Sequence, residues 1–292
     1  VSRRLRALWR MSRPAQLLLV VAVYALGVVI ARGMGAPLAL GPVAAGLLAL
    51  LPVAASVHYV NEYADHETDR LTTRTPFSGG SGAVPELGVD RSLALRAATA
   101  TLTVGTVAAV GLWVVGLLSD SALVLLALIA VLGWQYSVGP LALSRRGLGE
   151  LDNALLGGVV LPHYGAATLA PPGLAVCLAV LPFALVVFCN LLATQWPDRR
   201  ADAQVGKYTL PTRWSPRRLR RLYLLVAFLA FAGLVALAGG VLPPLVAAAG
   251  FLALPFLLWG AATFTRDERP LPTVAGMVVL AVAQLGAWLW VG

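Results

Sequence analysis

Residues 38–69 read LALGPVAAGLLALLPVAASVHYVNEYADHETD. An apolar run over 38–61 passes directly into Asn61-Glu62-Tyr63-Ala64-Asp65-His66-Glu67-Thr68-Asp69. As a helix, the run is long enough to cross a hydrocarbon core of about 30 Å. Asn61, Asp65 and Asp69 step by four and so fall on one helical face over two turns. A second apolar run, 173–196, ends in the same manner, in Asp198-Arg199-Arg200-Ala201-Asp202 followed by Gly206-Lys207. The chain has only 13 Asp and Glu in 292 residues, so two clusters at the ends of two apolar runs carry chemical weight. Hard oxygen ligands gathered in this way point to divalent cations and, through them, to phosphate. Mg²⁺ prefers a few carboxylates plus phosphate oxygens and water over an all-protein cage. If the two stripes face each other, Asn61, Asp65, Asp69, Asp198 and Asp202 are the metal ligands for two Mg²⁺ ions, with a diphosphate bridging them. The competing reading, acids that neutralise neighbouring arginines at helix ends, accounts for one cluster better than for two on one membrane face.

The chain is 59% hydrophobic and 12% charged, with a mean hydropathy of +0.82. Such a composition cannot cover a soluble domain with polar surface, so an integral membrane protein is expected. Nine apolar runs are long enough to span: about 15–32, 38–61, 93–118, 120–139, 152–170, 173–196, 219–239, 241–263 and 271–291. The expected fold is all-α, a polytopic membrane protein with nine transmembrane helices in a single domain over 1–292. The arginine-rich start also fits a signal peptide. The eight runs that follow favour a first transmembrane helix with a cytoplasmic N-terminus.

Loop charges test that topology. Counting from a cytoplasmic N-terminus, 21 of the 22 Lys and Arg fall on one side and only Arg32 on the other. Positive residues mark the cytoplasmic face. The net charge of +9 is therefore read as topology and contact with membrane lipids, and no nucleic-acid partner is expected. Both acidic clusters fall on this cytoplasmic side, in the two longest loops, which form caps at about 62–92 and 197–218. Long loops in compact proteins are usually functional.

Around the acids stand candidate phosphate ligands. Arg74 follows Asp69 by five residues. Lys207 follows Asp202 by five and is the only lysine in the chain, a compact point charge where every other cation is a guanidinium. Ser78-Gly79-Gly80-Ser81-Gly82 reads either as a phosphate-cradling nest or as the hinge of a lid. Tyr136 reads either as an interfacial anchor or as a cavity residue. His163 and Asn190, inside two spans, bond another helix or touch substrate. His58 and His66 are expected to be exposed near the interface. Cys177 and Cys189 are read as small core residues. No Asp, Glu, Lys or Arg lies near the middle of a span, which weighs against an ion-coupled transporter.

The chain resembles the UbiA superfamily of intramembrane prenyltransferases over nearly its whole length. Asn61, Asp65 and Asp69 match the N-x-x-x-D-x-x-x-D motif. Asp198, Asp202, Gly206, Lys207 and Thr209 match the D-x-x-x-D-x-x-x-G-K-x-T motif. The pair Arg13-Pro14 and the downstream Arg74 are similar too. The resemblance implies a helical bundle around a central cavity and a polyprenyl diphosphate donor held through Mg²⁺. It implies that Asp65, Asp69, Asp198 and Asp202 take part in catalysis, and that Tyr136 steadies the carbocation or positions the acceptor. It assigns Arg74 and Lys207, with Arg13 and Arg145, to the diphosphate. Pro76-Phe77-Ser78-Gly79-Gly80-Ser81-Gly82 and Tyr136-Ser137-x-Gly139-Pro140…Gly147-Leu148-Gly149-Glu150 look most like the branch that prenylates 1,4-dihydroxy-2-naphthoate in menaquinone synthesis. Glu62 stands where that branch usually has Asp, and Thr194-Gln195 also depart from it. Another acceptor (4-hydroxybenzoate, a carotenoid or a glyceryl lipid) stays open, as do a hydrolase or cyclase on the same metal site and a transporter or lipid-binding protein without chemistry.

Overall fold

The structure is a computed structural model that describes residues 2–75, 77, 79–171 and 173–292. Among these it is all-helical: α1 (Arg3–Met11), α2 (Pro14–Gly33), α3 (Leu40–Ala64), α4 (His66–Leu71), α5 (Ala83–Leu87), α6 (Ser92–Val114), α7 (Asp120–Ser137), α8 (Gly149–Leu155), α9 (Leu161–Ala167), α10 (Leu174–Gln195), α11 (Arg199–Gln204), α12 (Leu210–Arg213), α13 (Pro216–Leu237), α14 (Pro244–Gly250), α15 (Leu254–Thr263) and α16 (Leu271–Val291). Eight helical stretches among the described residues are long and apolar enough to cross a membrane; α1 with α2, and α14 with α15, each count as one. The most lipid-facing is α6, with only 17% of its apolar window buried. Val104, Val107 and Val114 stand exposed along it, an outside-apolar surface that only a bilayer would solvate.

Two expected spans differ from their outline. The first helix begins well before residue 15. Its arginine-rich tail is itself helical (α1) and bends into α2 at Arg13, which adopts a left-handed conformation with φ 51° and ψ 67°. The following Pro14 disfavours right-handed helix at the preceding residue and then serves as the first residue of α2. The bend lets Ala7 and Met11 pack with Tyr59, Val60, Ala83 and Val84, so α1 lies over the end of α3. The run 152–170 is not an uninterrupted helix. A π turn, Leu156–Val160, separates α8 from α9. Pro162 lacks the amide that a regular α turn requires, and a π turn absorbs the mismatch.

Close helix contacts rest on missing side chains. A Cβ at Gly27 of α2 would strike the Pro162 backbone of α9, and one at Gly165 would strike the backbone of Tyr24. Small residues that let backbones touch are a common adhesive between membrane helices. Two tyrosines at depth are satisfied: the Tyr24 hydroxyl donates to the Val43 carbonyl at 2.6 Å and that of Tyr164 to Gly46 at 2.7 Å. Cys189 is buried and Cys177 half-buried, and both are free.

Candidate active site

The chain's two acidic motifs meet at one end of the bundle. Asp65 sits at the junction of α3 and α4, with φ −91° and ψ 7°. The backbone bonds nonetheless run on, Asp65 N–H to Asn61 C=O at 2.9 Å and Asp69 N–H to Asp65 C=O at 2.8 Å. The one-face stripe therefore survives the junction. The Asn61 side-chain amide donates to Asp65 at 2.9 Å and to Ser137 at 3.2 Å. In the second motif Asp198 precedes α11, and Asp202 lies in its first turn. Gly206, at φ +69°, ends α11 in the left-handed conformation that glycine adopts freely. The chain then doubles back, so that the Lys207 N–H donates to the Asp202 carbonyl at 2.9 Å.

That reversal aims Lys207 between the motifs. Its ammonium lies 3.2 Å from both carboxylate oxygens of Asp65 and 3.5 Å from Asp202 Oδ1. Burial alone would lower its pKa, but Asp65 and Asp202 outweigh burial and hold it above the ordinary lysine range. The acids respond in the opposite direction. Burial, then the neighbouring Asp65 and Glu62, push Asp69 up to about 7. Burial and Asp202 push Asp198 up to about 7. Burial, with Asp65 adding to it, raises Asp202 to about 6 against the pull of Lys207. The Oδ1 atoms of Asp198 and Asp202 are buried without a hydrogen-bond partner. This is a site with more negative charge than its own cations settle. As the side chains stand, no three Asp, Glu, His or Cys among the described residues converge on one metal position, and Lys207 fills the gap.

The first cap loop crosses over these acids. The Gly79 N–H donates to Asp198 at 3.2 Å, and a Cβ on Gly80, at φ +64°, would collide with the Asp69 carboxylate. This glycine segment thus ties the two motifs together: the Gly79 amide is engaged by a carboxylate of the protein, as a strap would be and a phosphate nest would not. Ser78 and Pro76 lie outside the described residues. The strap is anchored by Glu62, which is 3% exposed. Its carboxylate accepts from Arg13 Nε at 2.9 Å and Nη2 at 2.6 Å, from the Ser81 N–H at 2.8 Å and from the Ser81 hydroxyl at 2.5 Å.

A cavity of about 580 Å³ opens beneath the strap. Asn61, Asp65, Asp69, Asp198, Asp202 and Lys207 line it, as do Arg13 and Tyr136. Two expected diphosphate ligands do not. Arg74 pairs with Glu86 at 2.9 Å and is 43% exposed, because the positive-φ turns at Gly79, Gly80 and Gly82 bring its guanidinium onto the start of α5. Arg145 is half-buried, near enough to Asp202 to act on its charge. Asn190 and His58 reach the cavity wall; His163 and His66 are not part of it. The His163 ring instead bonds the Val159 carbonyl at 2.8 Å, within the π turn.

Sequence reasoning passed over three cavity residues, Asp152, Asn153 and Gln195. Asp152 and Asn153 were hidden at the edge of a run read as lipid-spanning. A carboxylate two residues after Glu150, at the mouth of an apolar helix, was the available signal.

Residues 18–282 match the family model of the UbiA prenyltransferases. The chain belongs to the UbiA prenyltransferase family. Its fold is similar to that of a UbiA homologue from Archaeoglobus fulgidus bound to DMAPP and Mg²⁺, with TM-score 0.73, 16% identity and 99% of each chain covered. It is also similar to the apo structure of a UbiA homologue from Aeropyrum pernix K1, with TM-score 0.72, 18% identity, and 96% and 98% of the two chains covered. A digeranylgeranylglyceryl phosphate synthase follows at TM-score 0.63 and 14% identity, over 99% and 100% of the chains. At these identities the likeness is one of fold. No curated protein matches the sequence. The UbiA family assignment agrees with a multi-pass membrane protein.

Proposed function

We propose that this UbiA-family protein transfers an isoprenyl chain from a polyprenyl diphosphate to a lipophilic or aromatic acceptor, with Mg²⁺ as cofactor. The observation that carries this reading is the convergence of Asp65, Asp69, Asp198 and Asp202 on one buried cavity, with Asp198 Oδ1 left without a partner and Asp202 Oδ1 met by Lys207 at 3.5 Å, without a hydrogen bond. Such oxygens, crowded by like charge and out of water, fit a hard divalent cation. Asn61 completes the donor set. When bound, Mg²⁺ supplies charge neutralisation to the diphosphate oxygens. The remaining work falls to the chain. Lys207 and Arg13 add positive charge at the same end of the cavity, where the leaving diphosphate gains charge. Arg145 contributes at longer range, and Arg74 would join only by leaving Glu86. The strap at Gly79 and Gly80 covers the acids and keeps water from an allylic cation. Tyr136 faces the cavity with its ring available to that cation.

Within this class, 1,4-dihydroxy-2-naphthoate is the acceptor favoured by the Tyr136–Pro140 and Gly147–Glu150 segments, which would place the protein in menaquinone synthesis. The arginine distribution supports a cytoplasmic active site in the cell membrane. The test is binding of geranyl thiodiphosphate, a slowly reacting donor analogue, to purified protein. Binding that requires Mg²⁺ and is lost in Asp65→Ala and in Asp198→Ala is expected. Binding that is indifferent to Mg²⁺ and to both substitutions would refute the reading.

A further inference from the structure

Cations at the diphosphate end of the cavity are already spoken for. Arg10 donates to the Ser81 carbonyl and to Glu86, both at 2.8 Å; Arg13 is held by Glu62, and Lys207 by Asp65 and Asp202. The wall formed by α8 and the end of α10 is the reverse case. Asp152 is 6% exposed and Gln195 8%. Asp152 Oδ2, Asn190 Oδ1 and Gln195 Oε1 are all buried without a hydrogen-bond partner. All three residues line the cavity that holds the acids, yet none belongs to either acidic motif. Each unpartnered buried polar group costs about 1–3 kcal/mol, so three around one cavity mark a place where a ligand supplies the partners. The two amides can turn either end toward a ligand. In its ionised form a carboxylate can only accept, and in that form Asp152 calls for a ligand that brings a hydrogen-bond donor. Leu156, in the turn that follows α8, and Leu191, next to Asn190 in α10, line the same cavity, so the body carrying the donor is apolar.

We propose that Asp152, Asn190 and Gln195 form the acceptor subsite, and that the acceptor is a ring bearing a free hydroxyl whose O–H is held by Asp152. This rests on the prenyltransferase reading and narrows it. A carotenoid hydrocarbon brings no donor to this wall. A glyceryl phosphate brings an anion to a wall whose charged group, Asp152, is itself a carboxylate. In the transfer, the donor's C1–O bond breaks and its electron pair leaves with the diphosphate. A ring carbon beside the hydroxyl bonds to C1, and the hydroxyl proton passes to Asp152, leaving a neutral ring ketone. The proton on the alkylated ring carbon is then lost to the diphosphate, and Asp152 returns its proton to the oxygen, restoring the phenol.

The probes are 1,4-dihydroxynaphthalene and its dimethyl ether, used with geranylgeranyl diphosphate and Mg²⁺ on the full chain. Wild-type protein is expected to be thermally stabilised by the diol and not by the ether. Asp152→Asn, which keeps the shape, is expected to raise the KM for the diol at least tenfold and to leave the donor KM within twofold. Equal stabilisation of the wild type by diol and ether, or by neither, overturns the proposal without recourse to any variant. So does a diol KM unchanged in Asp152→Asn, or one that rises only in step with the donor KM. Binding of geranyl thiodiphosphate separates the two levels. If the wild type fails to bind it, the prenyltransferase reading falls and the subsite with it. If it binds while Asp152→Asn behaves as wild type, only the subsite falls.

Discussion

Replacing Glu62 tests whether one buried carboxylate holds the roof of the cavity. Glu62 is 3% exposed and accepts four hydrogen bonds, two from Arg13 and two from Ser81. Removing one partner of a buried ion pair costs about 3–5 kcal/mol. Arg13 keeps 22% of its side chain exposed and regains some hydration, so the lower end, about 3 kcal/mol, applies. Stranding the buried Ser81 amide adds about 1 kcal/mol. Glu62→Ala should therefore lose about 4 kcal/mol, which at roughly 2–4 °C per kcal/mol lowers Tm by about 10 °C. Glu62→Gln keeps the shape but not the charge; since charge-assisted bonds are about twice as strong as neutral ones, it should lose about half as much. The double variant Glu62→Ala/Arg13→Ala leaves no stranded charge and should cost about 2 kcal/mol less than the sum of its parts. The assay is thermal unfolding in detergent, with donor KM measured alongside, which should rise as the strap loosens. A Tm within 2 °C of wild type for Glu62→Ala, on the order of 0.5 kcal/mol, or strict additivity in the double variant, would show that Glu62 does not hold the strap.

Gly80→Ala introduces a Cβ at φ +64° against the Asp69 carboxylate. It should lower transfer at least tenfold while leaving the helix content in circular dichroism unchanged. Lys207→Ala removes the cation between Asp65 and Asp202 and should cost about 3 kcal/mol in metal-free protein, read as a lower Tm that Mg²⁺ partly restores. The raised acids predict a pH trend. Asp69 and Asp198 are pushed to about 7 and Asp202 to about 6, against about 3.9 when unfolded. Between these limits the folded state binds more protons than the unfolded one, so metal-free stability should fall as pH rises from about 4 to about 7. Mg²⁺ affinity should rise over the upper part of that window, because the ligands must lose protons to bind. Tm against pH with EDTA and with Mg²⁺ measures both; a flat EDTA curve would contradict the burial of these carboxylates.

Much of this was legible in the sequence because membrane folding is local. Backbone groups in hydrocarbon must be satisfied within the helix, so apolar run length locates spans such as Leu40–Ala64 and Leu174–Gln195 to within a few residues. Four-residue spacing likewise carries directly into the stripe of Asn61, Asp65 and Asp69. What escaped depends on contacts distant in sequence. Arg74 was placed by its nearness to Asp69, but the glycine turns carry its guanidinium to Glu86. Glu62 looked like a mere exchange for Asp; its role depends on Arg13, 49 residues earlier, and on Ser81, 19 residues later. The bend at Arg13 was written in Pro14 and the interruption of 152–170 in Pro162, yet hydropathy is blind to both. Asp152 was lost because a run read as lipid-facing leaves no reason to ask what its first polar residue touches.

The most direct test of the account is transfer from radiolabelled geranylgeranyl diphosphate in membranes carrying the wild-type chain, Asp65→Ala or Asp198→Ala, each with Mg²⁺ and with EDTA. A labelled lipophilic product is expected from the wild type with Mg²⁺ alone, reduced at least a hundredfold by either substitution or by EDTA. Product formed equally well by folded Asp65→Ala and Asp198→Ala protein would contradict it, as would donor left intact by the wild type with every acceptor supplied.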